Sequence, residues 1–391
     1  MKITAIHPTP VCVPLVEDEL WAFGGRRALV SVIVEVSTDE GVVGLGEAPA
    51  YPTAEVVLAV LRSLDDLVVG EDPRRIERIV RRIDAVGTWH HVRATSPAIA
   101  AVEMACWDIV GKLSGQPLVN LFGGPVRDEV EYFWYLVRKD PDAMRADARV
   151  AVERGFNTLY MKVGWDDPRA DVEIVEAVRD GAGPGARLRI DANEAWSPAA
   201  TLRIVRQLER FDLEFVEQPT SARNLAEMAY VRGRLSVPVL ANEATWTRED
   251  VLAVVQAGAA DAVSLDNQMD GGLLNMKRAA GIAEAAGVSA VKHSLGELAI
   301  ATTAAAHVLA STPNFLHANQ SYAALLADDV TPGGALSYER GRLRVPDGPG
   351  IGVALDRDRL AAHAERYRTE GAAAGFHDPA RLVDTPLIPK R

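Results

Sequence analysis

Seven polar side chains follow short apolar runs at nearly regular spacing between residues 157 and 319. They are Lys162, Asp191, Glu217, Glu243, Asp266, His293 and Asn319, and neighbours are 23 to 29 residues apart. That interval matches one strand plus one helix, so the seven side chains recur at the same level of a repeating β/α unit. A single polar strand end means little, because strands often finish at a solvated residue. Seven in register predict a shared site, since the carboxyl ends of parallel barrel strands build active sites.

Three of these side chains are carboxylates on consecutive predicted strands, Asp191, Glu217 and Glu243. Ligation by oxygen alone favours a hard cation, Mg²⁺ more than Zn²⁺. A cation would also offset the repulsion among three acids that share one cavity. The alternative is that the acids cap the helices that begin near Ser197 and Thr247.

Asp266 and His293 end neighbouring predicted strands, and an Asp beside a His fixes the tautomer and raises the basicity of the imidazole. Lys162 ends a strand across the barrel mouth, so the arrangement predicts one base on each side of a central metal. The alternatives are a core histidine at His293 and an ion pair between Lys162 and the carboxylates. The sequence has no His-x-His pair, no P-loop and no Gly-x-Gly-x-x-Gly after a strand, which argues against a His-ligated metal hydrolase and against nucleotide binding.

The elements that must position these side chains form a repeating pattern. Strand-like runs alternate with helical segments from about residue 130 to 320, which predicts parallel βαβ units and a (β/α)8 TIM-like barrel. The eight runs are VEYFWYLV, NTLYMKV, ARLRID, LEFVE, VPVLANE, DAVSLD, GVSAVKH and NFLHAN. Before them, alternating residues with a turn at Asp39–Gly41 and a helical stretch over 54–115 predict a separate α+β domain. We expect an N-terminal domain over 1–125, the barrel over 126–325, and a segment over 326–391 that packs back on the first domain.

Composition limits the partners. The formal charge of −12 leaves no basic surface for nucleic acid, and the 48% hydrophobic and 25% charged content is that of a soluble globular chain. Two cysteines, Cys12 and Cys106, cannot build a disulfide framework or a Cys-based zinc site, so we expect a reducing, cytoplasmic compartment. Neither a signal peptide nor a membrane span is expected, because no long unbroken apolar run occurs.

Several motifs together resemble the enolase superfamily, in its mandelate racemase-like branch, over nearly the whole chain. They are AIAAVEMACWDIVGK, GQPLVNLFGG, YMKVG, RIDANEAW, FVEQP, VPVLANEA, SLDNQMDGG and KHSLGE. The resemblance implies that the first domain caps the barrel and that the enzyme forms a homo-oligomer. It further implies that the three acids bind Mg²⁺, which holds a substrate carboxylate and stabilises the enediolate formed when the α-proton leaves. Lys162 matches the catalytic lysine, and His293 with Asp266 matches the dyad of the branch. Relatives similar to muconate cycloisomerase have a Lys in place of Asp266, which disfavours that branch.

Two positions depart from the family pattern. The family often has Lys-x-Lys after strand two, whereas this chain has Tyr160 before Lys162, which leaves open whether Lys162 is a base or an electrostatic clamp. Asn319 stands where mandelate racemase has a Glu that hydrogen-bonds the substrate carboxylate. Because its amide can still donate, we expect Asn319 to keep that catalytic role.

Substrate recognition is expected from loops near residues 20 and 50, by resemblance. Trp21, Phe23 and Tyr51 could exclude water, and Arg26 or Arg27 could pair with a distal anionic or hydroxyl group. Against this, an arginine in a loop is often simply solvated.

Two further side chains, Asn193 and Tyr160, are predicted to bind a hydroxyl of the small carboxylate substrate. The favoured function is Mg²⁺-dependent dehydration of an acid sugar or small hydroxy acid. The alternatives are a racemase or epimerase, a cycloisomerase, and a barrel that only binds a carboxylate.

Overall fold

The computed structural model describes residues 1–21, 24–86, 88–165, 167–371 and 374–376. The N-terminal domain begins with an antiparallel sheet in which the central strand β2 pairs with both β1 and β3. Helices α1 to α4 follow. The bounds are β1 (Ile3–Trp21), β2 (Gly24–Thr38), β3 (Val43–Pro49), α1 (Ala54–Val68), α2 (Ile76–Asp84), α3 (Val92–Ser114) and α4 (Leu118–Leu121).

Helix α3 lies directly against β3. A Cβ added at Gly44 or Gly46 would lie 2.1 Å or 1.9 Å from the carbonyl oxygens of Ala105 and Ala101, so this contact requires glycine. The helix ends at Gly115, which has a φ of 64°. The left-handed conformation at this position is the helix stop that the sequence predicts.

The barrel follows as alternating strands and helices. Strands β5 to β11 form one seven-stranded sheet in chain order, and all their pairings are parallel. The bounds are β4 (Glu129–Glu131), β5 (Trp134–Leu136), α5 (Pro141–Glu153), β6 (Thr158–Lys162), α6 (Pro168–Ala182), β7 (Arg187–Asp191), α7 (Pro198–Leu208), β8 (Leu213–Glu217), α8 (Leu225–Arg232), β9 (Val239–Ala241), α9 (Arg248–Ala257), β10 (Ala262–Leu265), α10 (Leu273–Ala285), β11 (Ser289–Lys292) and α11 (Ala299–Ala310).

The eighth predicted strand, 314–319, closes the sheet through two single parallel bridges. Phe315 pairs with Ala290 of β11, and Asn319 pairs with Tyr132 just before β5. The ladder is interrupted because the main-chain N–H of Lys292 bonds to the side-chain oxygen of Asn319, at 2.9 Å. The first predicted strand also divides in two, since β4 pairs outside the barrel. The predicted fold class, a TIM-like (β/α)8 barrel with an N-terminal α+β domain, is confirmed.

The C-terminal segment runs back along the molecule. Strand β12 (Arg342–Arg344) pairs with β4, helix α12 (Arg357–Glu370) packs against β1, and β13 (Gly375–Phe376) pairs with β2. The boundaries at 125 and 325 stay a prediction. Among the described residues, no helix is both long and apolar enough to cross a membrane.

Candidate active site at the carboxyl ends of the barrel strands

A cavity of about 500 Å³ lies between the barrel mouth and the N-terminal domain. One wall of the cavity consists of barrel residues at or just after the strand ends. The opposite wall includes residues from the end of β1 and the start of β2 in the N-terminal domain. Predicted site residues in its wall are Trp21, Arg26, Tyr51, Lys162, Asn193, Glu243 and His293. Phe23 lies outside the described residues.

The three predicted metal ligands each accept hydrogen bonds at this end of the barrel. Asp191 and Glu217 are buried and end β7 and β8, and Glu243 follows β9 by two residues. Asn242 Nδ2 donates to Glu217 Oε1 at 2.7 Å, and Asn193 Nδ2 donates to Glu243 Oε1 at 2.8 Å. Among the described residues, no three His, Cys, Asp or Glu side chains are already gathered as a metal site.

The chemistry of this set nevertheless fits Mg²⁺. Burial, together with the charge of Asp191, raises the pKa of Glu217 well above its usual range and that of Glu243 to about 8. Glu243 Oε2 is fully enclosed and has no hydrogen-bond partner among the described residues. A divalent cation would remove the repulsion that raises these pKa values and would give that oxygen a partner.

The alternative reading of the acids as helix caps is wrong. Ser197 caps α7 by accepting the N–H of Ala200, and Thr247 caps α9 in a reciprocal arrangement with Asp250. The helices therefore have their own local caps, and the strand-end acids are not needed for that purpose.

Lys162 makes the ion pair that the sequence left open as an alternative. Its Nζ lies 2.6 Å from Asp191 Oδ2. Burial alone would lower the pKa of Lys162, but the carboxylates of Asp191 and Glu217 raise it. With the acids unneutralised, Lys162 is therefore held protonated.

His293 and Asp266 form the predicted pair. His293 Nδ1 lies 3.1 Å from Asp266 Oδ2, and the N–H of Gln268 donates to the other carboxylate oxygen at 2.7 Å. The remaining ring nitrogen of His293 makes no hydrogen bond to any residue that the structure describes, and the side chain lines the cavity. The core-histidine alternative therefore does not describe His293.

Two predicted site residues lie outside the cavity wall, and their predicted roles stay predictions. Tyr160 is 1% exposed and donates its hydroxyl to Asp191 Oδ2 at 2.5 Å, so it supports a carboxylate and does not reach the cavity. Both the oxygen and the nitrogen of the Asn319 side-chain amide hydrogen-bond to main-chain groups of the barrel wall. It accepts from Lys292 N and donates to the carbonyl oxygens of Glu131 and His317, at 3.1 and 3.2 Å. It borders a different cavity, of about 230 Å³.

Arg26 is not a solvated loop arginine. Its Nε lies 2.5 Å from Glu19 Oε2, and its guanidinium carbon lies 4.5 Å above the centre of the Tyr322 ring. Tyr135 and Tyr322 donate their hydroxyls to Glu19 Oε1 at 2.7 and 2.9 Å. Burial would raise the pKa of Glu19, but Arg26 and the Tyr135 hydroxyl bring it below its usual value. Three aromatic side chains, Trp21, Tyr51 and Trp246, form another part of the cavity wall. The ring centres of Tyr51 and Trp246 are 5.5 Å apart.

Sequence reasoning missed Glu19, Tyr322, Asn242 and Trp246. Glu19 belongs to the acidic run EDEL, which reads as solvated, and its partners lie 116 and 303 residues further along the chain. Asn242 could have been found, since it precedes a predicted ligand in the segment ANEA.

Family models match both parts of the chain. The model described as the mandelate racemase / muconate lactonizing enzyme N-terminal domain matches residues 8–123, and the enolase C-terminal domain-like model matches residues 143–359. The chain therefore belongs to the mandelate racemase and muconate lactonizing enzyme family of the enolase superfamily, and the prediction of that family is confirmed.

Individual relatives agree over almost their whole lengths. The N-succinyl-L-Arg/Lys racemase of Bacillus cereus is 29% identical over 92% of this chain and 97% of its own length, and its structure has a TM-score of 0.87. A probable glucarate dehydratase of Streptomyces coelicolor is 32% identical over 100% of this chain and 99% of its own. An enolase of Thermobispora bispora, solved with magnesium and formate, is 33% identical with a TM-score of 0.89 and covers 97% of this chain and 96% of its own.

The protein is thus an Mg²⁺-dependent enzyme that removes a proton α to a carboxylate. Its fold class, enzyme class and cofactor agree with the sequence-based expectations. The particular reaction and the roles of individual residues are taken up next.

Proposed function

We propose that this enzyme dehydrates an acid sugar or a small hydroxy acid. The observation that supports this most directly is the pair His293–Asp266, at 3.1 Å, in the wall of the cavity that also contains Lys162. A dehydration needs a base for the α-proton and an acid for the departing β-hydroxyl. A histidine backed by a carboxylate is suited to both steps, because its imidazolium can return a proton to the leaving oxygen.

In this proposal Asp191, Glu217 and Glu243 hold the metal. When bound, Mg²⁺ draws the substrate carboxylate into the site and stabilises the negative charge that develops as the α-proton leaves. Asp266 keeps the proton of the resting imidazole on Nδ1, which leaves Nε2 of His293 as the reactive nitrogen. Lys162 acts from the opposite wall, either as a second base or as a fixed positive charge.

The rest of the cavity suits a hydroxylated substrate with a polar far end. Asn193, Asn242 and Ser294 supply hydrogen-bonding groups to the wall. Arg26, held by Glu19 and Tyr322, stands on the side of the N-terminal domain and is proposed to bind a distal anionic or hydroxyl group. Trp21 and Tyr51 would exclude water above the reacting carbon.

The second candidate is 1,1-proton transfer, as in a racemase or epimerase. The observation that favours it is that Lys162 and His293 line one cavity from β6 and from the loop after β11, which provides two candidate bases. The Bacillus cereus relative is named as a racemase. Cycloisomerisation ranks third, because Asp266 occupies the position where similar cycloisomerases carry a lysine.

A panel of monoacid and diacid sugars and hydroxy acids in deuterated water separates these candidates. A dehydratase gives a keto acid, whereas a racemase washes deuterium into the α-carbon of both enantiomers and gives no keto acid. The change His293→Asn should lower product formation by about 10²–10⁴-fold. His317→Asn is the matched control, because His317 Nδ1 lies 3.0 Å from Glu214 Oε1 but outside the site. Full turnover in His293→Asn would contradict the proposal.

Compartment and assembly are also kept as proposals. Both cysteines are free and buried, which suits a reducing cytoplasm. A homo-oligomer is expected from the family. Light scattering coupled to size-exclusion chromatography tests the oligomer, and a single monomeric mass would contradict it.

A further inference from the structure

Glu47 is a fully buried acid on β3 whose carboxylate reaches out of the N-terminal domain and into the barrel. Its Oε1 accepts the N–H of Leu298 at 2.6 Å, and its Oε2 accepts the N–H of Ala301 at 2.9 Å. Ser31 on β2 also donates to Oε1, at 2.9 Å. One carboxylate therefore ties the sheet of the N-terminal domain to the start of α11.

The start of α11 is close to His293 along the chain, and the segment between them has little freedom. Ser294 Oγ accepts the N–H of Gly296 at 3.2 Å and donates to Glu297. Glu297 is fully buried and forms an ion pair with Lys292, the residue before His293. Residues 292 to 297 are thus joined to one another on both sides of His293, and Leu298 follows them directly, so a shift of Leu298 is expected to displace His293.

A second bond runs from the same residue to the partner of His293. The carbonyl oxygen of Glu47 accepts Gln268 Nε2 at 2.9 Å. The main-chain N–H of Gln268 in turn donates to Asp266 Oδ1 at 2.7 Å. Glu47 is consequently bonded to the loop after His293 and to the loop after Asp266.

We infer that Glu47 is a positioning residue that sets the geometry of the His293–Asp266 pair and couples it to the seating of the N-terminal domain. That domain also carries Trp21 and Arg26. Glu47 would therefore fix the position of these two substrate-facing residues relative to the His293–Asp266 pair. The inference depends on the proposed function only for the effect on turnover, since the geometry of the pair exists without substrate.

Glu103 supplies a matched comparison. It lies on α3 of the same domain, is 3% exposed, and accepts the N–H groups of Leu273 and Leu274 at 3.0 and 3.1 Å at the start of α10. It therefore joins the domain to the barrel in the same way. Among the described residues, neither its side chain nor the helix start that it holds bonds to Asp266 or His293.

The test compares Glu47→Gln with Glu103→Gln. Glutamine keeps the volume but replaces one acceptor by a donor, so one helix N–H loses its partner in each variant. Both variants should lower the melting temperature. Glu47→Gln should also lower kcat by about 10²-fold with KM nearly unchanged, because a misplaced catalytic group costs about that much, whereas Glu103→Gln should stay near wild type.

A readout without substrate is the proton NMR resonance of His293 Nδ1–H, which is assigned by its loss in His293→Asn. It should move or broaden in Glu47→Gln and remain in place in Glu103→Gln. If Glu47→Gln does not fold, Gln268→Leu removes the bond to the Glu47 carbonyl and keeps the main-chain donor to Asp266, and it should produce the same changes to a smaller extent.

An unchanged resonance and kcat in Glu47→Gln, an equal loss of both in Glu103→Gln, or no effect of Gln268→Leu would overturn the inference. Failure of the proposed function would look different. Wild-type enzyme would then give no keto acid from the substrate panel, while the resonance would still report whether Glu47 holds the pair.

Discussion

Binding of Mg²⁺ to the three acids should release protons. At pH 7, a Glu243 whose pKa is about 8 carries a proton in about nine molecules of ten, and removing it costs about 1.4 kcal/mol. The pKa of Glu217 is also raised. Because metal and proton compete for the same oxygens, the apparent affinity for Mg²⁺ should rise about tenfold per pH unit between pH 6 and 8 for each proton displaced.

Titration calorimetry in two buffers of different ionisation enthalpy measures the number of protons released when Mg²⁺ binds. At pH 7 we expect at least about one proton per Mg²⁺. Glu243→Gln removes a ligand together with its proton. Changing a residue that only supports a metal ligand lowers metal affinity by ~10–100-fold, and the affinity of Glu243→Gln for Mg²⁺ should fall by more than that. The number of protons released per Mg²⁺ should fall by about one. Glu194→Gln is the control, since Glu194 lines the same cavity but accepts the N–H of Ala222. Equal affinity at pH 6 and pH 8, or an equal loss in Glu194→Gln, would refute the reasoning.

Three further outcomes are expected. His293→Asn should lower turnover by about 10²–10⁴-fold, as loss of a general acid or base does, while His317→Asn should not. If Lys162 is an electrostatic clamp, Lys162→Ala should abolish product. If Lys162 is a second base, the variant should retain deuterium exchange, followed by NMR, on substrates whose α-proton faces His293. Asn319→Ala should keep kcat near wild type yet lower the free energy of unfolding by about 1–3 kcal/mol in urea titrations, because the amide joins three main-chain groups at the barrel closure. A turnover loss without loss of stability would return Asn319 to the site.

The sequence predicted the barrel because its signals are local. Each strand is a short apolar run, several helices have a local stop or cap such as Gly115 or Ser197, and the repeat length is nearly constant. Parallel strands place equivalent positions at one rim, so Lys162 and His293 could be expected to share a cavity although 131 residues separate them. The eighth predicted segment pairs through two single bridges instead of a continuous ladder, and the side chain of Asn319 accepts a main-chain N–H there.

Spacing along the chain did not predict the direction of the side chains at the strand ends. Tyr160 was expected to face the substrate but donates to Asp191, and Asn319 was expected to face the substrate but bonds to main-chain groups. Spacing along a chain specifies the level of a residue, whereas the partner that satisfies a buried polar group depends on which groups surround it.

The sequence by itself indicated the barrel, the strand ends that carry its acids and bases, and the preference for a hard cation, because periodicity and residue chemistry are properties of short segments. The family was indicated by the resemblance of its motifs. Only the tertiary structure decided which groups hold those residues in place. Glu19 meets Tyr322 and Glu47 meets Leu298 across more than 250 residues, through strands of the N-terminal domain packed on the barrel. A buried carboxylate is stable only where donors from distant segments converge on it, and that convergence exists only after the chain has folded.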